Sequence, residues 1–135
     1  NKRKHNISMH LEDDLLMANM DARLIIQVLV NLINNAIKYT PENSNISLNA
    51  RRVEDKILIE VQDDGNGVLH PEQLFEMFYT ENNRSGDTRR GMGLGLSLCK
   101  SIVQSHGGTI WVENVKPHGA CFKFLLEAVE VKLYE

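Results

Sequence analysis

The segment Gly91-Met92-Gly93-Leu94-Gly95-Leu96 alternates three glycines with apolar side chains and runs straight into a stretch of helical spacing, Leu96 to Ser105. Glycines so placed let the backbone take positive φ and come close to a ligand. A helix opening there turns unpaired N–H groups toward whatever sits in the loop, and an anion suits them best. Alone, the segment reads equally as a flexible loop before a helix. Two familiar phosphate loops are excluded. No Gly-Lys-Ser/Thr occurs anywhere in the chain, which rules out a Walker loop. Leu96 stands where the third glycine of a dinucleotide fingerprint belongs, with no strand before the run.

The remaining 129 residues decide what kind of loop this is. At 135 residues the chain fits one domain, large enough to bury about two thirds of its unfolded surface. A net charge of −3, with no block of like charge, argues against a nucleic-acid partner. No apolar run reaches membrane-spanning length and no signal-peptide pattern opens the chain. Cys99 and Cys121 lie among apolar neighbours without metal-type spacing, which predicts two buried thiols in a reducing compartment. Because the sequence opens on Asn1 rather than Met, the expectation is a piece of a longer protein.

Alternation at Ile7, Met9 and Leu11 predicts a strand, and Leu15 to Asn19 a second short one. Asp21 reads as an N-cap for a helix whose apolar positions run from Leu24 and Ile25 to Ala36 and Ile37, ended by Pro41. Ile46, Leu48 and Ala50, a turn within Arg51–Asp55, and Ile57, Ile59 and Val61 predict a hairpin. Pro71 starts a short helix through Phe75, and Tyr79–Arg90 is polar and without period. A helix from about Gly93 to His106 stops at Gly107-Gly108, with His106 placed for the helix dipole. Strands at Thr109–Glu113 and Cys121–Leu126, joined by a turn at Pro117-His118-Gly119, complete the pattern; Ala128–Glu135 is either a further strand or a frayed end. The sum is an α+β fold: a two-layer sandwich with a mixed sheet of about five strands, one face covered by three helices.

Two constellations carry chemistry beside the glycine run. Asn31, Asn35 and Lys38 fall within about 60° of one another around the long helix, along one edge of its apolar stripe. Asparagine is a mediocre helix former, so two in register ask for a reason. Singly each reads as solvent-facing filler. Together with Lys38 they form a ledge in which an Asn oxygen can ligate Mg²⁺ and the lysine can pair with phosphate. Tyr39 stacks on a base or caps the core. The other constellation is Asp63-Asp64-Gly65-Asn66-Gly67 at a strand end. Asp63 continues the inward phase of Ile57, Ile59 and Val61, so its carboxylate points inward and needs a donor. A protein group or a purine amine would serve; the stretch also reads as a plain turn or a cation loop, though without EF-hand spacing. None of the five histidines (5, 10, 70, 106, 118) stands in a readable triad pattern.

These stretches resemble the signature boxes of sensor histidine kinases. Asn31-Leu-Ile-Asn-Asn35-Ala-Ile-Lys38-Tyr39-Thr40-Pro41 is similar to the N box and Asp63-Asp-Gly65-Asn-Gly67 to the G1 box. Leu74-Phe75-Glu76-Met77-Phe78-Tyr79 is similar to the F box and Gly91-Met-Gly93-Leu-Gly95-Leu96 to the G2 box, all in family order and spacing over nearly the whole chain. The resemblance implies the Bergerat (GHKL) ATP-binding fold shared with the gyrase, Hsp90 and MutL ATPases. It implies that Asn35 coordinates Mg²⁺ bridging the phosphates of ATP, supported by Asn31 and Lys38. Tyr39 would lie against the adenine, Asp63 would accept its amine hydrogen, and Gly65 and Gly67 would let the loop approach the base. Gly91, Gly93 and Gly95, with Leu94 and Leu96 between and beside them, would offer backbone amides to the triphosphate. Tyr79–Arg90 would form a lid bounded by Phe78.

Departures from the family pattern narrow the class. Hydrolysing relatives carry a water-activating glutamate one turn before the Mg²⁺ asparagine; here Asn31 occupies that place, and an amide takes up no proton at neutral pH. The resemblance therefore implies a kinase that holds ATP for an acceptor arriving from outside. Thr80 stands where an arginine often follows the Phe-Tyr pair, so the resemblance implies that Arg84, or else Arg89 or Arg90, would take over its role. Gly119-Ala120-Cys121-Phe122 replaces a usual Gly-Thr-x-Phe. Arg89 to Lys100 also resembles the potassium-responsive KdpD-type kinases. No histidine has the setting of a phosphoacceptor helix, so residues 1–135 are expected to be a catalytic domain alone, its partners a dimerisation domain bearing the acceptor histidine and a response regulator. Its expected location is the cytoplasm, the parent protein in the plasma membrane. The rivals are an ATP-driven conformational switch of the gyrase or Hsp90 kind and a protein-serine kinase regulating a sigma factor; the twelve residues between Phe78 and Gly91 are long for the latter.

Overall fold

The computed structural model describes residues 5–11, 21–76 and 95–127. Among these residues the elements run β1 (Asn6–Leu11), α1 (Ala22–Lys38), β2 (Asn45–Val53), β3 (Lys56–Asp63), α2 (Gly95–Ser105), β4 (Thr109–Asn114) and β5 (Ala120–Glu127), with one 3-10 turn at Pro71–Gln73. The strands form one mixed sheet in the order β1-β2-β3-β5-β4, β1 parallel to β2 and the rest antiparallel. The expected strand at Leu15–Asn19 and the tail Ala128–Glu135 lie outside the described residues.

The α1 helix begins where a side chain can satisfy its first amides: Asp21 Oδ1 accepts from Arg23 N (3.0 Å) and Leu24 N (3.4 Å). Its buried stripe, Ile25, Val28, Leu32 and Ala36, repeats at three and four residues and lies on the sheet with Ile46, Val61, Phe122, Phe124 and Leu126. Cys99, Ile102 and Val103 of α2 close the same core. Phe75 meets Phe122 edge to face, 6.1 Å between centroids. The opposite face of the sheet is polar at its centre. There Lys123 lies between Glu60 (3.5 Å) and Glu113 (3.2 Å), and Trp111 donates to Glu113 (2.8 Å). One covered face and one charged face make this the expected two-layer α+β arrangement.

Several details depart from expectation. Two α-helices rather than three cover the sheet among the described residues, because the helix expected from Pro71 through Phe75 is only a 3-10 turn. Proline suits its first position, but the bonds that follow close three residues back, Leu74 N to Pro71 O (3.4 Å) and Glu76 N to Gln73 O (3.0 Å), while Leu74 and Phe75 enter the core, 5% and 8% exposed. The hairpin turn falls at Glu54-Asp55, within the expected Arg51–Asp55, and Arg51 and Arg52 are strand residues paired with Leu58 and Ile57. On the edge strand β1, Ile7 and Met9 share the face of their partners Ile46 and Leu48 yet are exposed. His106 acts as a cross-link. Its Nε2 accepts from Asp21 N (2.9 Å) and its Nδ1 donates to Ile102 O (2.8 Å), tying the end of α2 to the start of α1.

Both cysteines are buried thiols, as expected. Burial pushes Cys99 up to about 11, a hydrogen bond from the Asn31 side chain offsetting part of the rise. Burial and then the Glu60 carboxylate push Cys121 up to about 12. The unfolded chain therefore loses its thiol protons first. The stabilisation is complete below the ordinary thiol value of 9.0 and is lost as pH rises through the folded values. Thermal midpoints are expected to hold from neutral pH to about 8.5, then to fall, and to fall less in Cys121→Ala. Iodoacetamide at pH 8 should label the unfolded chain only, and fast labelling of the native chain would contradict this.

Candidate functional site

Asp63 closes the central strand β3 and keeps the inward phase of that strand: it pairs across to Ile46 and Ala120 and is 2% exposed. A buried carboxylate must be paired with donors. Its Oδ1 accepts from Gly65 N (2.9 Å) and Ala120 N (3.2 Å). Position 120 thus contributes its backbone, which alanine supplies as well as threonine. The neighbouring Asp64 carboxylate accepts from Asn45 N and Asn45 Nδ2, both at 2.8 Å. Burial would raise Asp64, but the Asn45 hydrogen bonds outweigh it and hold the group below its ordinary value. Among the described residues no group of three His, Cys, Asp or Glu side chains gathers here to hold a cation, which counts against the cation-loop reading of this segment.

The loop after Asp63 is held on two sides. Gly67 has φ +83°, and a β-carbon there would stand 2.6 Å from Asn114 Oδ1. That oxygen accepts from Val68 N (2.7 Å) while Asn114 Nδ2 donates to Val68 O (2.9 Å), so the end of β4 clamps the loop. On the other side a β-carbon on Gly65 would stand 2.6 Å from Thr40 Cγ2. Thr40, one residue past the C-cap Tyr39 of α1, is 2% exposed and donates to Ala36 O (2.6 Å). His118 Nδ1 lies 2.8 Å from Asp64 O.

Asn31, Asn35 and Lys38 are all half-buried along one edge of α1. The Asn31 side chain lies near the Cys99 thiol, one turn into α2, and so beside the helix that Gly95 opens; the thiol itself reaches Val28 O of α1 at 3.9 Å. Lys38 Nζ stands 5.0 Å from the Tyr39 ring centroid, within cation–π range. Asn35 is different in kind: its Oδ1 is buried and has no hydrogen-bond partner among the described residues. A single edge of α1 therefore touches α2 through Asn31 and the Asp63–Gly67 loop through Thr40, with the unpaired Asn35 oxygen between these contacts. Leu96 packs against the core, leaving its backbone amide as what it offers a ligand, and Gly95 is exposed at the helix start. Phe78, Arg84, Gly91, Gly93 and Leu94, with the alternatives Arg89 and Arg90, lie outside the described residues.

An orphaned amide oxygen fits a hard divalent cation. Mg²⁺ takes one or two protein oxygens and fills its octahedron with phosphate and water. Among the described residues no group of three His, Cys, Asp or Glu side chains is placed to hold a metal by itself, so a cation at Asn35 would be shared with a ligand. Asn45 and Asn114 carry no motif that singles them out in the sequence, and Thr40, though inside the N-box stretch, has no role legible there; each is found through its contact with the loop.

Residues 20–130 match the family model described as histidine kinase-, DNA gyrase B- and HSP90-like ATPase. The sensor protein KdpD of Clostridium acetobutylicum is 39% identical over 124 residues, covering 90% of this chain and 14% of that protein. Among solved structures, the nucleotide-free catalytic domain of the histidine kinase ThkA superposes with a TM-score of 0.78 at 32% identity, over 91% of this chain and 80% of that one. ThkA is also solved in complex with a response regulator protein, TrrA. Full-length ShkA in complex with AMPPNP gives a TM-score of 0.81 at 25% identity, over 96% of this chain and 27% of that one.

Proposed function

The chain belongs to the histidine kinase-, DNA gyrase B- and HSP90-like ATPase family, in its sensor histidine kinase branch, and we propose that it binds Mg²⁺-ATP and passes the γ-phosphoryl group to a histidine on a dimerisation domain. The observation that carries this reading is the buried, unpartnered Oδ1 of Asn35. An orphaned polar atom opposes folding, and a ligating role accounts for its persistence.

Asp63 accepts the adenine amine hydrogen, Gly65 and Gly67 bring the loop to the base, and Tyr39 lies beside it. Lys38 pairs with phosphate from the same edge as Asn35. Mg²⁺, when bound, neutralises phosphate charge and is held by Asn35. Gly95 and Leu96 open α2 and would offer backbone amides to the phosphates; by the family resemblance Gly91, Gly93 and Leu94 would add theirs, Arg84 would meet the γ-phosphate and Phe78 would bound the site. Asn31, beside the Cys99 thiol of α2, takes up no proton, so water is not activated there. Transfer by such a site is positioning and charge neutralisation. The bond to the γ-phosphorus breaks with ADP leaving, and a new P–N bond forms on the acceptor imidazole, whose ring proton passes to solvent.

Residues 1–135 would act as one catalytic domain of a longer kinase. The complex of ThkA with its response regulator supports an onward partner of that kind. The nucleotide donor places the domain in the cytoplasm; no helix among the described residues is long and apolar enough to cross a membrane, and attachment to the plasma membrane belongs to the parent protein. The test supplies γ-labelled ATP, Mg²⁺ and a dimerisation domain in trans. Label on an acid-labile, base-stable site of that domain is expected, with almost no turnover by the catalytic chain alone. Rapid hydrolysis by the isolated chain, or its nucleotide-dependent dimerisation, would favour the switch-type relatives instead.

A further inference from the structure

His5, just ahead of β1, stands against the last turn of α1 with its Nε2 2.9 Å from Thr40 Oγ1. Thr40 gives its single hydroxyl hydrogen to Ala36 O at 2.6 Å, so the ring nitrogen must be the donor of the pair. In the neutral ring Nδ1 is then a bare acceptor, and it is buried with no partner among the described residues. An unpaired buried acceptor opposes folding. A residue present only to fill this space would be apolar, so the bond to Thr40 is what accounts for an imidazole here.

That bond selects a rotamer. A threonine whose hydroxyl reaches back to the i−4 carbonyl splits between two χ1 wells, and a donor at Nε2 fixes where Oγ1 sits and hence where the methyl sits. The Thr40 methyl is the atom nearest to the place a Gly65 side chain would occupy, and Gly65 N donates to Asp63 Oδ1 at 2.9 Å. The adjacent residue ties the other flank of the same loop: Asn6 Nδ2 donates to Asn45 Oδ1 (3.1 Å), and Asn45 holds both oxygens of Asp64. Residues 5 and 6 thus brace the base-facing loop from the edge strand.

We propose that His5 is a positioning residue for nucleobase recognition, acting through Thr40 to set the height of Gly65 and the aim of Asp63. This rests on the adenine-binding reading above. The test compares Kd for Mg²⁺-ATP and Mg²⁺-GTP in the 135-residue chain, because a base-positioning group moves their ratio and a purely structural one weakens both alike. His5→Ala is expected to lower the preference for ATP about tenfold with GTP binding unchanged. His5→Gln, whose amide can still donate to Thr40, restores most of it. Thr40→Val, which keeps the shape without the hydroxyl, lowers the ratio similarly and adds little to His5→Ala. An unchanged ratio in His5→Ala overturns the proposal; should that variant not fold, an unchanged ratio in Thr40→Val does so. A wild-type chain that binds neither nucleotide, or both alike, overturns the functional reading instead.

Discussion

Asn35→Ala is expected to abolish phosphotransfer while leaving the fold as stable as before or more so. The two effects come from one atom. The buried Oδ1 has no partner, so removing it relieves a desolvation penalty of about 1 kcal/mol or more. Alanine is also the better helix former by about 0.5 kcal/mol in the last turn of α1. The metal ligand disappears with the same atom. Losing a group that holds the cation against the phosphates should cost at least about a hundredfold in transfer rate, or about 2.7 kcal/mol. Thermal unfolding and label transfer on the same preparation check this. A variant that melts well below the wild type yet still transfers label would show Asn35 to be a structural residue.

Asp63→Asn is expected to raise the Kd for ATP at least about tenfold and at most about 150-fold, with little loss of stability. The amide keeps an oxygen for Gly65 N and Ala120 N, which both bond to Oδ1, but sets a donor where the base amine needs an acceptor. A hydrogen bond to a charged group is worth about 1.5–3 kcal/mol, which is that range of affinity. Asp63→Ala differs, because it also strips two buried amides of their acceptor. Stability should then fall by about 2 kcal/mol or more alongside binding. Denaturant unfolding and calorimetric titration of the two variants separate the ligand-facing role from the structural one. Equal ATP affinity in Asp63→Asn and the wild type would remove Asp63 from the base site.

What the sequence made legible is what is periodic or local. The cap at Asp21 and the stop at Pro41 bound α1 because both act within one turn of it. Alternation over Ile57, Ile59 and Val61 carries through to Asp63 and correctly aims a carboxylate into the core. The bracing of that carboxylate is not periodic. Asn114 lies 46 residues from Val68, and His5 lies 35 from Thr40. These pairs meet only because the sheet order sets β5 beside β3 and β4 beside β5, and the fold brings the start of β1 to the end of α1, which no local spacing encodes. The helix expected from Pro71 through Phe75 is a 3-10 turn among the described residues: Pro71 reads correctly as a helix start, but the backbone bonds after it close three residues back rather than four. Exposure of Ile7 and Met9 follows from β1 lying at the sheet edge, a fact their alternation does not contain.

The central claim, that Asp63 and Asn35 serve one nucleotide, is tested most directly by NMR titration of the labelled chain with AMPPNP, with and without Mg²⁺. The backbone amides of Gly65 and Ala120, which report on Asp63, and the side-chain amide of Asn35 should shift along one saturation curve. The Asn35 signal alone should depend strongly on Mg²⁺. Two curves with different midpoints, or an Asn35 signal indifferent to both nucleotide and metal, would contradict the account.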